Sequence, residues 1–169
     1  MKRLFFSSTL ILAIVITGCS KNDDTPTTNG PPYEGNYKNQ DVEGMINGQA
    51  WKYMRGSAYS YAQDNTHEIG LYSNMDDSCH GGTGPSVLIH LEKTDFVGVY
   101  NLGSGPQASA VNIYYFDNDY FNQYPQLGSF EIVSADTSTG IVIGKIDAQY
   151  DANNFVNGYF RIKYCAYYN

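Results

Sequence analysis

The sequence predicts an all-β domain, either an antiparallel sandwich or an up-and-down barrel of about nine to ten short strands. Three observations predict it. Aromatic residues make up 15% of the 169-residue chain and charged residues only 16%, with sixteen tyrosines carrying most of the aromatic share. Tyr, Val, Ile and Thr fit pleated sheets, whereas long helices draw on Leu, Glu, Lys and Ala. Apolar and polar side chains alternate with a period of two along several runs, as a sheet with one buried and one wet face requires. Seventeen glycines and many Asn and Asp residues fall between those runs as turn chemistry. The length suits one domain with a real core.

The first hairpin is the clearest. In VEGMINGQAWKYM (42–54) Asn47-Gly48 separates two apolar-rich runs, and Asn-Gly is the preferred centre of a type I′ turn. Further strands are expected over Arg55–Ala62, His67–Ser73, Ser86–Lys93, Phe96–Leu102, Ser109–Phe116, Gly128–Ala135, Ile141–Tyr150 and Val156–Tyr167. The connections QDNT (63–66), DTSTG (136–140) and DANNF (151–155) are rich in residues that tolerate left-handed backbone. In SVLIHLEK (86–93), Val87, Ile89 and Leu91 share one face, while Ser86, His90 and Glu92 share the other with Leu88. In VNGYFRIKYCAYY (156–168), Val156, Gly158, Phe160, Ile162, Tyr164 and Ala166 take one face. Asn157, Tyr159, Arg161, Lys163 and Cys165 take the other.

The N-terminus reads as an address. Met1-Lys2-Arg3 precedes a mostly apolar run of fourteen residues, Leu4–Thr17, short of the ~20 that span a bilayer and of secretory form. Ile16-Thr17-Gly18-Cys19 resembles a bacterial lipobox. The resemblance implies that Cys19 carries diacylglycerol on its sulfur and becomes the mature N-terminus, a two-chain anchor that holds stably. Residues 1–18 are then a signal peptide, 19–41 the lipidated cysteine and a flexible tether, and 42–169 the domain. Ser20 is not the aspartate that retains many lipoproteins at the inner membrane, which points to the outer membrane. Lys21, Asp23 and Asp24 resemble the surface-export signal of Bacteroidota lipoproteins, which implies display on the cell surface. TPTTNGPPYEGNYKNQD (25–41) has the composition of a spacer.

Three further stretches, VEGMINGQAWKY (42–53), GVYNLG (98–103) and GKIDAQY with NNFVNGYFRIKY (144–150 and 153–164), resemble small all-β lipoproteins of Bacteroidota with a domain of unknown function. The likeness covers most of Val42–Tyr167 and rests on glycines and aromatics. It implies fold and location, and no catalytic residue.

Charge narrows the partners. The formal charge is −7, and without Lys2 and Arg3 eight basic residues face seventeen acidic ones, or −9. Such a surface repels phosphate backbones, so nucleic acid is excluded as a partner. Once Cys19 is set aside, Cys79 and Cys165 form an even pair in an oxidising compartment, and a disulfide between them is expected. Asp76, Asp77, Cys79 and His80 share a loop, with His67 and His90 on nearby strands, but no zinc-ligand spacing occurs. Asp117-Asn118-Asp119 opens like a calcium loop and then departs from it at Phe121 and Asn122. GGTGPS lacks the lysine of a phosphate cradle. The expectation is therefore no enzyme, no cofactor and no metal.

NIYYFDNDYFNQYPQ (112–126) is the most suggestive segment. Tyr114, Tyr115, Asp117, Asp119, Tyr120 and Tyr124 combine flat aromatic faces with hydrogen-bonding groups, which suits a glycan or a peptide. The alternative is a strand end and long loop whose aromatics cover the core. Together these features predict a surface-exposed, lipid-anchored binding module of the outer membrane. The other reading is a structural or accessory envelope subunit that pairs with another protein and takes no small ligand. A ligand binder should show Tyr and Asp side chains converging near residues 117–124, and a partner subunit an exposed apolar patch or an open edge strand.

Overall fold

Asn47 and Gly48 have φ values of 52° and 72°, the two left-handed residues that a type I′ turn demands. They join β1 (Glu43–Ile46) to β2 (Gln49–Lys52). The computed structural model describes residues 35–61, 66–74, 79, 84–92, 96–103, 110–116, 120–136 and 138–165. Nine strands follow the first hairpin: β3 (Arg55–Tyr61), β4 (Thr66–Tyr72), β5 (Ser86–Glu92), β6 (Gly98–Asn101), β7 (Val111–Phe116), β8 (Tyr120–Gln123), β9 (Leu127–Asp136), β10 (Ile141–Asp151) and β11 (Asn154–Tyr164). The described residues contain no helix.

All eleven strands belong to one sheet that curls into a half-barrel, in the order β6-β9-β10-β11-β3-β4-β5-β7-β8, with the β1–β2 hairpin joined to β11. The all-β expectation holds, with two differences. The strand β8 lies where a loop was expected. The sheet is mixed, because β11 pairs in parallel with β3, through Lys163 opposite Ser57 and Tyr164 opposite Ala58. Every other strand pair is antiparallel.

The inner face of the sheet holds the core. Val87, Ile89 and Leu91 of β5 are fully buried, as their alternation predicts, and face Ile69 and Leu71 of β4 and Val111 and Ile113 of β7. Phe130 and Ile132 of β9, Val142, Ile146 and Ala148 of β10, and Val156, Phe160 and Ile162 of β11 complete it. Burying each of the Val, Leu, Ile and Phe side chains among these contributes roughly 1.5–3 kcal/mol. The β1–β2 hairpin packs onto this core through Ile46 and Trp51, whose indole Nε1 donates to the Pro85 carbonyl at 2.9 Å. Its tip docks on the β10–β11 turn, where the Asn47 amide donates to Asn154 Oδ1 at 2.8 Å and the Gly48 amide to the Asn153 carbonyl.

Residues 35–41, which composition assigns to the tether, lie as a strap on the outer surface of β10 and β11. Asn157 fixes them. Its amide nitrogen donates to the Asn36 carbonyl at 3.0 Å and to Asp147 Oδ1 at 2.8 Å, while its oxygen accepts the Lys38 amide at 2.8 Å. The strap then joins the sheet, with Tyr159 donating its amide to the Gln40 carbonyl and accepting that of Val42. A Cβ on Gly158 would lie 2.7 Å from both the Gln40 and Asp41 carbonyl oxygens, so this close approach requires glycine.

Candidate functional site

The aromatic segment forms a hairpin rather than a long loop. β7 and β8 pair through Tyr114 opposite Asn122, Tyr115 opposite Phe121 and Phe116 opposite Tyr120. Asn112 Nδ2 donates to Asn122 Oδ1 at 2.9 Å across the pair. Tyr114 is half-buried on β7, and Tyr124, past the end of β8, is exposed. Asp117 and Asp119 lie outside the described residues, as do the side chains of Tyr115 and Tyr120. Cys19 also lies outside them.

Cys79 and Cys165 are joined, with sulfurs 2.05 Å apart and Cα atoms 5.8 Å apart. Alternation placed Cys165 on the wet face of β11, yet it is buried, because it follows the last strand residue and its amide turns in to donate to the Ala58 carbonyl. Tyr59 OH donates to the Cys79 carbonyl, which ties the other half of the bridge to β3. His67 and His90 point to opposite faces: His67 stacks on Phe96 with ring centroids 4.4 Å apart, and His90 is exposed. Asp76, Asp77 and His80 lie outside the described residues. Tyr164 OH donates to Ser60 Oγ at 2.8 Å, and Ser60 Oγ lies 2.6 Å from His67 Nδ1. This chain of polar groups ties β11, β3 and β4 together.

The outer face of β6, β9, β10 and β11 is where exposed apolar surface collects. The cross-strand register sets Val99, Glu131, Lys145 and Tyr159 in one row, and Ile143 beside Arg161 in the next. A register shift in β9 leaves Val133 without a partner on β10, and such a bulge re-aims a side chain. Val97, Val99, Val133 and Ile143 are 51%, 58%, 46% and 37% exposed, and Tyr159 is 39% exposed. β6 ends the sheet, so among the described residues its outward edge has no neighbouring strand.

The charges on this face divide sharply. Lys145 Nζ lies 2.7 Å from a Glu131 carboxylate oxygen and 4.6 Å from the centre of the Tyr37 ring. The hydrogen bond to Glu131 raises the Lys145 pKa above its ordinary value. Tyr37 in turn lies 2.7 Å from Ser129 Oγ, and burial pushes its phenol pKa up. Arg161 and Lys163 are exposed, and neither has a carboxylate partner among the described residues. The strap separates this open face from a groove of about 430 Å³ on β1, β2 and β11, lined by Lys38, Gln40, Glu43, Met45, Lys52 and Phe155.

No protein-family model matches the chain, and neither a curated protein nor a solved structure is similar to it.

Sequence reasoning missed both outer surfaces. The alternation of Tyr159, Arg161 and Lys163 marks a wet face, but the neighbours of those side chains depend on which strands pair. Two local signals bear on the apolar face: Val97 and Val99, spaced by two, and a β9 run in which Val133 follows Ile132 and breaks the alternation.

Proposed function

We propose that this chain is a lipid-anchored interaction module of the outer membrane, displayed on the cell surface, non-enzymatic, and bound to a polypeptide partner through its outer sheet face. The anchor rests on the lipobox-like Ile16–Cys19 stretch, and the location on Ser20 and the acidic pair Asp23-Asp24. The resemblance to small Bacteroidota lipoproteins points the same way. One observation carries the choice of partner: Val97, Val99, Val133 and Ile143 stand exposed together beside the terminal strand β6. Contiguous apolar surface of this kind marks protein contact sites in soluble domains. A glycan reading needs Tyr and Asp side chains gathered around residues 117–124; of those candidates, Tyr114 is half-buried on β7 and Tyr124 is exposed past the end of β8.

Two experiments test this. Cys19→Ala should abolish acyl labelling and release the protein from the membrane; unchanged retention would sink the anchor. A photoreactive residue at position 143 should give a discrete protein adduct on intact cells, and one at the exposed position 90 should not. Equal labelling from both positions, or none from 143, would remove the partner face.

A further inference from the structure

Resting on that reading, we infer that the partner presents an apolar centre flanked by acidic side chains, and that Arg161 and Lys163 select it. The face has two columns. Val133 and Ile143 form the apolar one, on β9 and β10, and Arg161 and Lys163 form the basic one, on β11. Arg161 stands directly across from Ile143, and Lys163 across from Ile141. From β6 to β11 is three strand spacings, or roughly 14 Å, so one partner surface covers Val99 and Arg161 together.

The partners that the charged groups of β9, β10 and β11 take make the basic column available. Lys145 is engaged by Glu131 and the Tyr37 ring, and its charge is answered locally. Asp136, across from Ile141, is engaged by Ser138 and Thr139. Asp147 is engaged by Asn157 and the Asn36 amide. Arg161 and Lys163 alone among these are left with no carboxylate partner among the described residues. They sit on a chain of formal charge −7, or −9 without Lys2 and Arg3, where basic residues beside apolar ones form a local exception to the surrounding field. A guanidinium with a free fork takes a carboxylate bidentately, and apolar contact beside it excludes the water that would screen the pair.

Two other occupants fit less well. A second copy would bring the same basic column against this one and, without Lys2 and Arg3, a further −9 of net charge. An anionic bilayer would meet two open basic groups against the repulsion of a strongly acidic domain.

The test uses the full-length lipoprotein on intact cells, with benzoylphenylalanine at position 143 as the probe. The adduct is isolated and the crosslinked partner peptide sequenced. The expected peptide carries Asp or Glu beside apolar residues, and Arg161→Glu with Lys163→Glu reduces the adduct about tenfold, a change of about 1.4 kcal/mol in association. Arg161→Lys with Lys163→Arg retains most of it. Adduct yield unchanged by charge reversal, or a crosslinked peptide without acidic residues, overturns the acidic-partner inference and leaves the docking face standing. An adduct to lipid or to a second copy overturns the inference and also the polypeptide-partner reading. Absence of any adduct from position 143 removes the docking face itself. Secretion and thermal melting of each variant are measured alongside, because both basic residues are exposed and their reversal should leave the fold intact.

Discussion

Asn157 shows how one side chain decides where the domain begins. It sits on the outer face of β11 yet is only 8% exposed, because the strap lies over it. Its amide fills both donor positions and accepts once, joining Asn36, Lys38 and Asp147. Asn157→Ala leaves the partners beneath the strap unmatched and should cost about 1–3 kcal/mol, read as a lower denaturant midpoint with unchanged slope. Asn157→Asp should cost at least as much at neutral pH, because it sets a second carboxylate against Asp147. A smaller loss for aspartate than for alanine would contradict this account of the site. Asp136 makes a different prediction. It is fully exposed, yet hydrogen bonds from the Ser138 and Thr139 hydroxyls and amides hold its pKa at about 2, below its ordinary 3.8. A carboxyl depressed in the folded state adds stability above its unfolded pKa, and that stability is lost as pH falls through the folded one. Carboxyl-carbon NMR should therefore place the Asp136 midpoint near 2, and Ser138→Ala with Thr139→Val should return it toward 3.8.

At the scale of elements, the local pattern was legible and the long-range pairing was not. Asn47-Gly48 announces its turn, and both residues adopt the left-handed backbone. A Cβ at Gly48 would meet only Asn153, about 4 Å away, so Gly48→Ala tests the backbone alone. It should cost about 1–2 kcal/mol, and Gly48→Asn less, since asparagine tolerates that conformation; equal stability of all three in thermal melts would mean that the hairpin does not depend on the turn. The strands β3, β4, β5, β7, β9, β10 and β11 lie within a few residues of their expected bounds because period-2 alternation survives wherever one face is buried. β8 was hidden because Asp117, Asn118 and Asp119 read as a loop and its own Tyr-Phe-Asn-Gln has no polar alternation. The strap was hidden because GNYKNQD has the composition of a spacer, and the residues that hold it, Asn157, Asp147 and Ser129 among them, lie about a hundred residues away. The candidate partner face was the least legible. It joins Val99, Val133, Ile143 and Arg161 from four strands, and no window of sequence contains them together.

The whole sheet depends on a seam. One set of strands, β6-β9-β10-β11 with the β1–β2 hairpin, meets the other, β3-β4-β5-β7-β8, through the parallel pairing of β11 with β3, which spans Lys163–Ser57 and Tyr164–Ala58 only. Three features reinforce it from the same end. Tyr164 donates its hydroxyl to Ser60, the Cys165 amide donates to the Ala58 carbonyl, and the Cys79–Cys165 bridge closes just beyond, with Tyr59 holding the Cys79 carbonyl. The bridge spans a sequence separation of 86, and closing a loop of that length stabilises by about 4–5 kcal/mol in the chain-entropy picture. Its position makes a sharper prediction than its size. Reduction removes a covalent tie at the seam and touches no residue of the β9–β10–β11 ladder, so opening should begin where β11 meets β3. Amide exchange at Tyr164 and Cys165 should accelerate on reduction well before that at Ile146 or Phe160, with the melting temperature falling at the same time. Uniform acceleration across β10 and β11 would mean that the two sets of strands are held by the shared core, from Ile69 and Ile89 on one side to Phe130 and Phe160 on the other, and that the seam is not where the fold is weakest.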